Sequence, residues 1–273
     1  ILDIDVGSLV VTGTGGNDVV VTDAGTSDTT YSVTTGAAGN VTLVQAVGDA
    51  LIDQVTTTGA VSVTASGGGI VDHADDATDD FTSAGSVTLT ASGDIGGPGP
   101  GDNALEIADG VAVTASSSGG AVALASGGVL DVGASDAATG LTLSGTTVNL
   151  SGATYDSDDG DITLNGTVEL VNAGPVLDSD ADDAGTDGNI IVNGAVTDSG
   201  NDSALTLDAD GGTVTIDDVQ VNGQFNVTGS TINIAGTDTA INSNIGDAQF
   251  TGDLDVTGDG NASVTVGGAP GDL

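Results

Sequence analysis

A five-residue phrase recurs along this chain: Gly or another small or polar residue, any residue, Val/Ile/Leu, usually Thr/Ser/Ala, then Val/Ile/Leu. It stands as GNVTL (39–43), GAVSV (59–63), GSVTL (85–89), DGVAV (109–113), GAVAL (120–124), TGLTL (139–143), GDITL (160–164), GNIIV (188–192), SALTL (203–207) and GTVTI (212–216). Apolar residues two apart, with Thr or Ser between them, turn one face of a strand inward and the other toward water. The Gly or Asp-Gly between phrases supplies the positive φ of tight turns. The leading apolar residues follow one another at steps of 20, 26, 24, 11, 19, 21, 28, 15 and 9. A strand this short cannot bury itself, so its repetition at a common, near-constant step implies coils of chain hydrogen-bonded to one another. The steps of 11, 15 and 9 read as additional strands within a coil.

Composition narrows the architecture. Val, Ala, Leu and Ile supply the apolar residues, aromatics are 2%, and 46 glycines stand among abundant Thr, Ser and Asp, which favours strands and turns over helices. A sandwich core needs larger side chains than Phe81, Phe225, Phe250, Tyr31 and Tyr155 provide. The expected fold is all-β, a right-handed parallel β-solenoid (β-helix) with short coils and Asp/Gly-rich loops, roughly 12 coils at about 22 residues each. Val41, Leu43, Val61, Val63, Val87, Leu89, Ile162, Leu164, Val214 and Ile216 are expected to point inward, with Thr, Ser and Asn forming ladders outside. Residues 39–235 form the solenoid repeats, and 1–38 and 236–273 supply terminal strands.

Charge excludes whole classes of function. Lys plus Arg is 0 and Asp plus Glu is 40, a net charge of −40. Nucleic-acid binding and adhesion to anionic lipid both rely on cationic side chains, so neither is expected. The same absence removes Arg clamps, Schiff-base Lys and phosphate-loop Lys, and zero Cys with a single His, His73, removes thiol and most His-based catalysis. No run of eighteen apolar residues exists, so no membrane insertion is expected. With no initiator Met or basic leader, the chain reads as a mature product or an excised part. Asp chosen over Glu almost everywhere, with Glu106 and Glu169 the exceptions, resembles proteins that work in high salt, where the Debye length shrinks to ~3 Å at 1 M.

GAVSVTASGGGI (59–70), GSVTLTASGDI (85–95) and GDITLNGTVEL (160–170) resemble the repeats of filamentous-haemagglutinin-like adhesins, large bacterial surface proteins built on right-handed parallel β-helices. The likeness is one of repeat style over roughly residues 39–235. It implies an extracellular or cell-surface location.

Candidate ligands for a hard cation lie in three acidic clusters. These are Asp75, Asp76, Asp79 and Asp80, preceded by Asp72; Asp156, Asp158, Asp159 and Asp161; and Asp178, Asp180, Asp182 and Asp183, followed by Asp187. Loop carboxylates two residues apart can converge on Ca²⁺, which takes six to eight oxygens. The alternative is a solvated acidic surface with loosely held monovalent or divalent cations. DSDDGD (156–161) looks like the start of an EF-hand loop, but the twelfth place is Val168 instead of Glu, which removes that reading. GTGGNDVV (13–20) is similar to a single calcium-binding nonapeptide of toxin-type β-rolls, with Asp18 as ligand and no tandem copy following. Asn40, Asn149, Asn165, Asn201, Asn226 and Asn261 begin acceptor sequences for surface glycans.

No enzymatic role is expected. β-Helix lyases use a Lys or Arg base, and sugar grooves present aromatic platforms that this chain lacks. Ice binding needs Thr-x-Thr at one place in every coil, which Thr88/Thr90 and Thr213/Thr215 do not provide. What remains is a secreted structural protein, either a subunit that polymerises with itself into an extracellular filament or a repeat segment of a large adhesin. Solenoid ends without a polar cap are unpaired strand edges. The apolar terminal strands with Ile1, Leu2, Ile4 and Val6 at one end and Val264 and Val266 at the other are the candidate joint.

Overall fold

The computed structural model describes residues 2–36, 39–74, 76–83, 85–97, 103–182, 187–198, 200, 202–235, 240–243, 247–256 and 263–266, with backbone alone at 2–3, 256 and 263–266. Among these residues all regular structure is β, and the parallel strands stack as a β-solenoid of about 10 turns. That is fewer than the roughly 12 a uniform short coil gives. Loops lengthen several coils: Val63 pairs with Leu89, Leu89 with Ala115 and Ile162 with Ile190, each partner further along the chain than a uniform coil would put it. The ten residues expected to face inward are all buried, none more than 2% exposed.

The chain divides into two compact units, Ile1–Asp131 with Asp136–Ala138, and Val132–Ser135 with Thr139–Leu273. In the first unit one wall of the interior is the column Val21, Leu43, Val63, Leu89, Ala115, each residue in register with the next. Another wall stacks Val33 on Val55 and Val55 on Phe81. A parallel register must place like side chains over like, and each fully buried Val, Leu or Ile contributes roughly 1.5–3 kcal/mol. The phrase at 109–113 stacks one pleat later than its spelling suggests, because Val87 faces Val113 and not Val111. Val122 belongs to a different wall, bridging Ile95, as its short step of 11 implied.

The interior of this unit also holds two buried polar groups. Tyr31 Oη donates to Gln45 Oε1 at 2.6 Å, and Gln45 Nε2 donates to the carbonyls of Ser27 at 3.0 Å and Val47 at 2.6 Å. Thr29 Oγ1 donates to Asp23 Oδ2 at 2.5 Å, and the Gly25 N–H donates to Asp23 Oδ1 at 2.7 Å. Burial, and secondarily the charge of Asp23, push the Tyr31 phenol above its ordinary value of 10. The folded state therefore keeps the phenol neutral while the unfolded chain ionises above pH 10, so this stability is complete below pH 10 and declines as pH rises further. Tyr31→Phe should cost about 1–3 kcal/mol by orphaning Gln45 Oε1, and should flatten the alkaline decline of the thermal midpoint above pH 10 relative to the parent.

In the second unit the column is Leu141, Ile162, Ile190, Val214, Ile232, Leu254, and a second one is Tyr155, Leu177, Leu207, Val227, Phe250. Tyr155 is fully buried, its hydroxyl donating to the Val132 carbonyl at 2.7 Å and accepting the Gly152 N–H at 2.8 Å. On the outside, Asn193 Nδ2 donates to Asn165 Oδ1 at 2.9 Å and Asn165 Nδ2 to Ser144 Oγ at 3.0 Å, the polar ladder that the repeats anticipated.

Candidate metal centre

Asp72 and Asp80 are brought together by one long strand. The strand Ala50–Thr57 pairs near its start with Ile70–Asp72, so that Ile52 faces Asp72, and near its end with Phe81–Ser83, so that Val55 faces Phe81. The chain between leaves the coil after Asp72 and re-enters at Asp80, whose carbonyl accepts the Val55 N–H at 2.7 Å. Phe81 bridges Ile107 in the following coil, which sets Glu106 over Asp80, and the Glu106 N–H donates to Asp80 Oδ2 at 3.0 Å. Carboxylate oxygens of Asp72, Asp80 and Glu106 lie within 4.8 Å of one another, and the three residues are 8%, 1% and 6% exposed. The departing loop is pinned by Asp72, which accepts the N–H groups of Ala74 at 2.8 Å and Asp76 at 3.1 Å.

Three carboxylates so close and so dry cannot all stay ionised unaided. Burial first, then the charges of Asp72 and Glu106, push Asp80 from 3.8 up to about 9, against the opposing pull of the Glu106 N–H. The chain has no Lys or Arg, so the charge is neutralised by a proton or by a cation from solution. An all-oxygen donor set suits a hard metal ion, and this triad can hold one. A cavity of about 200 Å³ lined by Asp53, Gln54, Asp72, Asp76, Thr78 and Asp80 adjoins it.

The other expected ligands fall as follows. Asp76 is exposed, and hydrogen bonds from the hydroxyl and backbone of Thr78 hold its carboxyl below the ordinary range. Asp79 is half-buried beside Asp80, His73 is exposed, and Asp75 lies outside the described residues. Of the second cluster, Asp156 and Asp158 are half-buried and Asp159 and Asp161 are exposed; Asp161 Oδ1 accepts both the backbone N–H and the Nδ2 of Asn189, at 2.8 and 2.9 Å. Asp156 stacks in register on Asp178, and Asp178 on Asp208. Asp180 is buried, Asp182 exposed, and Asp183 outside the described residues.

Glu106 is the ligand that sequence reading passed over. It was legible in principle: Glu106, one of only two glutamates in the chain, follows Asp80 by the same interval that separates Leu89 from its register partner Val63. At the expected joint, Ile4 is half-buried and Val6 is 40% exposed. Leu2, Val264 and Val266 lie in strands, paired with Val21, Ile241 and Ser243, and Ile1 is outside the described residues.

No protein-family model, curated protein or solved structure matches this chain.

Proposed function

We propose that this is a secreted structural protein whose copies join end to end into an extracellular filament or surface fibre, with calcium as the ion of the Asp72–Asp80–Glu106 triad. The observation that carries the reading is the state of the edge coils. In the strand Ser8–Gly13, Leu9 and Val11 are half-buried, while their register partners Tyr31 and Val33 one coil inward are fully buried. At the other edge Leu254 is 47% exposed and Phe250 half-buried, over Ile232 at 0% and Val227 at 2%. Each edge therefore presents interior-type side chains and strand backbone, the surface that a further coil covers in the middle of a solenoid. A head-to-tail contact between two such different edges propagates as a fibre wherever the rotation from copy to copy does not close a ring. A net charge of −40 opposes that contact at low ionic strength, and salt or calcium relieves it.

Electron microscopy of the purified chain in molar salt with calcium should show unbranched filaments, and Leu254→Asp, on the half-exposed edge face, should abolish them while the variant still unfolds cooperatively on heating. Persistent monomers in both salt and calcium would reject the polymer and favour a repeat segment of a large adhesin, whose edges are covered by its own chain.

A further inference from the structure

We infer that one outer wall of the first unit binds ice. The strands Val19–Asp23, Val41–Gln45, Val61–Ala65, Ser86–Ala91 and Ala112–Ser117 stack in parallel register, and no bulge interrupts any of the four pairings. Because alternate residues point inward, two ranks run along the outside. One is Val20, Thr42, Ser62, Thr88, Thr114, and the other is Thr22, Val44, Thr64, Thr90, Ser116. Every member is half-buried or exposed. The exact Thr-x-Thr pairs at 88/90 and 213/215 lie in different units, but register gives Thr88 and Thr90 neighbours of the same kind: Ser62 and Thr64 on one side, Thr114 and Ser116 on the other.

Strands in register stand about 4.8 Å apart and alternate residues about 6.6 Å, so the hydroxyls and methyls of this wall form a grid close to the oxygen repeats on the faces of hexagonal ice. The hydroxyls are available to it. Among the described residues those of Thr22, Thr42, Ser62, Thr64 and Thr90 make no hydrogen bond, and only Thr114 Oγ1 to Thr88 Oγ1 at 3.5 Å and Ser116 Oγ to Asp136 Oδ2 at 3.4 Å are engaged at all. Thr and Val are stiff at χ1, so little side-chain freedom is lost on contact. Charge marks the wall off as well. Asp and Glu are 40 of 273 residues, yet no outward position of these five strands holds one, and the array ends where Asp3 stands in register with Thr22 and Asp136 with Ser116. A neutral, regular wall suits a lattice of neutral water, which the hydration shell of a carboxylate would disrupt. The two ranks span only about 19 Å by 7 Å, well short of the roughly 800 Å² per partner of a stable protein interface, which disfavours a second copy as the occupant. The end-to-end contact uses other surfaces, so ice binding does not depend on it.

Nanolitre osmometry of the full chain on a single ice crystal tests the wall. The protein should open a gap between melting and freezing points and should be enriched in a slowly grown ice shell over the surrounding solution. Thr88→Tyr and Thr90→Tyr, each at an exposed position of the array, should abolish both effects while keeping the thermal midpoint of the parent. Thr82→Tyr, exposed on another strand of the same unit, should leave both unchanged. Two array variants keep the test decisive if one misfolds. A parent that neither shifts the freezing point nor enters the ice overturns the inference, as does equal loss from Thr82→Tyr. Sedimentation of the parent as a dimer that Thr90→Tyr dissociates also overturns it, by giving the wall to a second copy.

Discussion

In chelator, Asp80→Asn should melt above the parent protein between pH 7 and 9, and in millimolar calcium the order should reverse. The sign follows from the direction of the shift. Asp80 in the folded chain holds its proton up to about pH 9 and in the unfolded chain releases it near 3.8, so the folded state binds more protons throughout that interval. The associated stability is complete below pH 3.8 and is lost progressively as pH rises to about 9. One group can contribute at most about 1.4 kcal/mol per pH unit, which is roughly 3–5 °C in midpoint per unit for a domain of 150–250 residues. Asparagine keeps the shape and still accepts the Glu106 N–H without the charge, so the variant should lose this slope between pH 5 and 9. Asp180 contributes a slope of the same sign, so the decisive quantity is the difference between variant and parent. Calcium bound to the folded triad, as proposed, would add RT ln(1 + [L]/Kd), about 2.7 kcal/mol at one hundred times Kd, which the variant would forgo. Parallel pH profiles for the two proteins, with identical calcium increments, would show that the triad neither shares a proton nor binds an ion.

The largest loss of stability is expected from a single methyl group. Gly160, Gly188, Gly212, Gly229 and Gly252 follow one another up the second unit at one corner of successive coils, each meeting the backbone of the glycine before it. A Cβ on Gly188 would sit 2.5 Å from the carbonyl carbon of Gly160 and nearer still to its oxygen, and one on Gly212 would sit 2.8 Å from the carbonyl carbon of Gly188. Backbone cannot step aside as a flexible side chain does, because the strands flanking each corner are locked in register. Gly188→Ala and Gly212→Ala should each cost on the order of 3–5 kcal/mol, lowering the midpoint by about 10 °C or more. Gly127→Ala is the control, since nothing lies within 4 Å of the added carbon, and should change little. If all three variants melt together, the corners are looser than the described packing.

The recurring phrase determined the fold class on its own, since alternation of apolar and polar side chains over each short phrase specifies strand and face, and its return at a near-constant step specifies stacking. It was enough to name ten interior residues, every one of them buried. Register was less legible. Val113, not Val111, sits over Val87, because a two-residue slip keeps the same face inward and the local pattern cannot tell the two apart. The acidic clusters show the boundary most clearly. Proximity along the chain marked Asp79 and Asp80 alike, yet Asp80 is 1% exposed and Asp79 half-buried, because alternate residues entering a strand face opposite ways. Which distant carboxylate joins Asp80 was decided by coil length, a tertiary quantity set by the loops on all sides of the column, and it brought in Glu106 from the following coil. Sequence determined that forty acidic groups would have no Lys or Arg to balance them. Only the stacking of coils decided which of them are dry and crowded enough to need a proton or a cation.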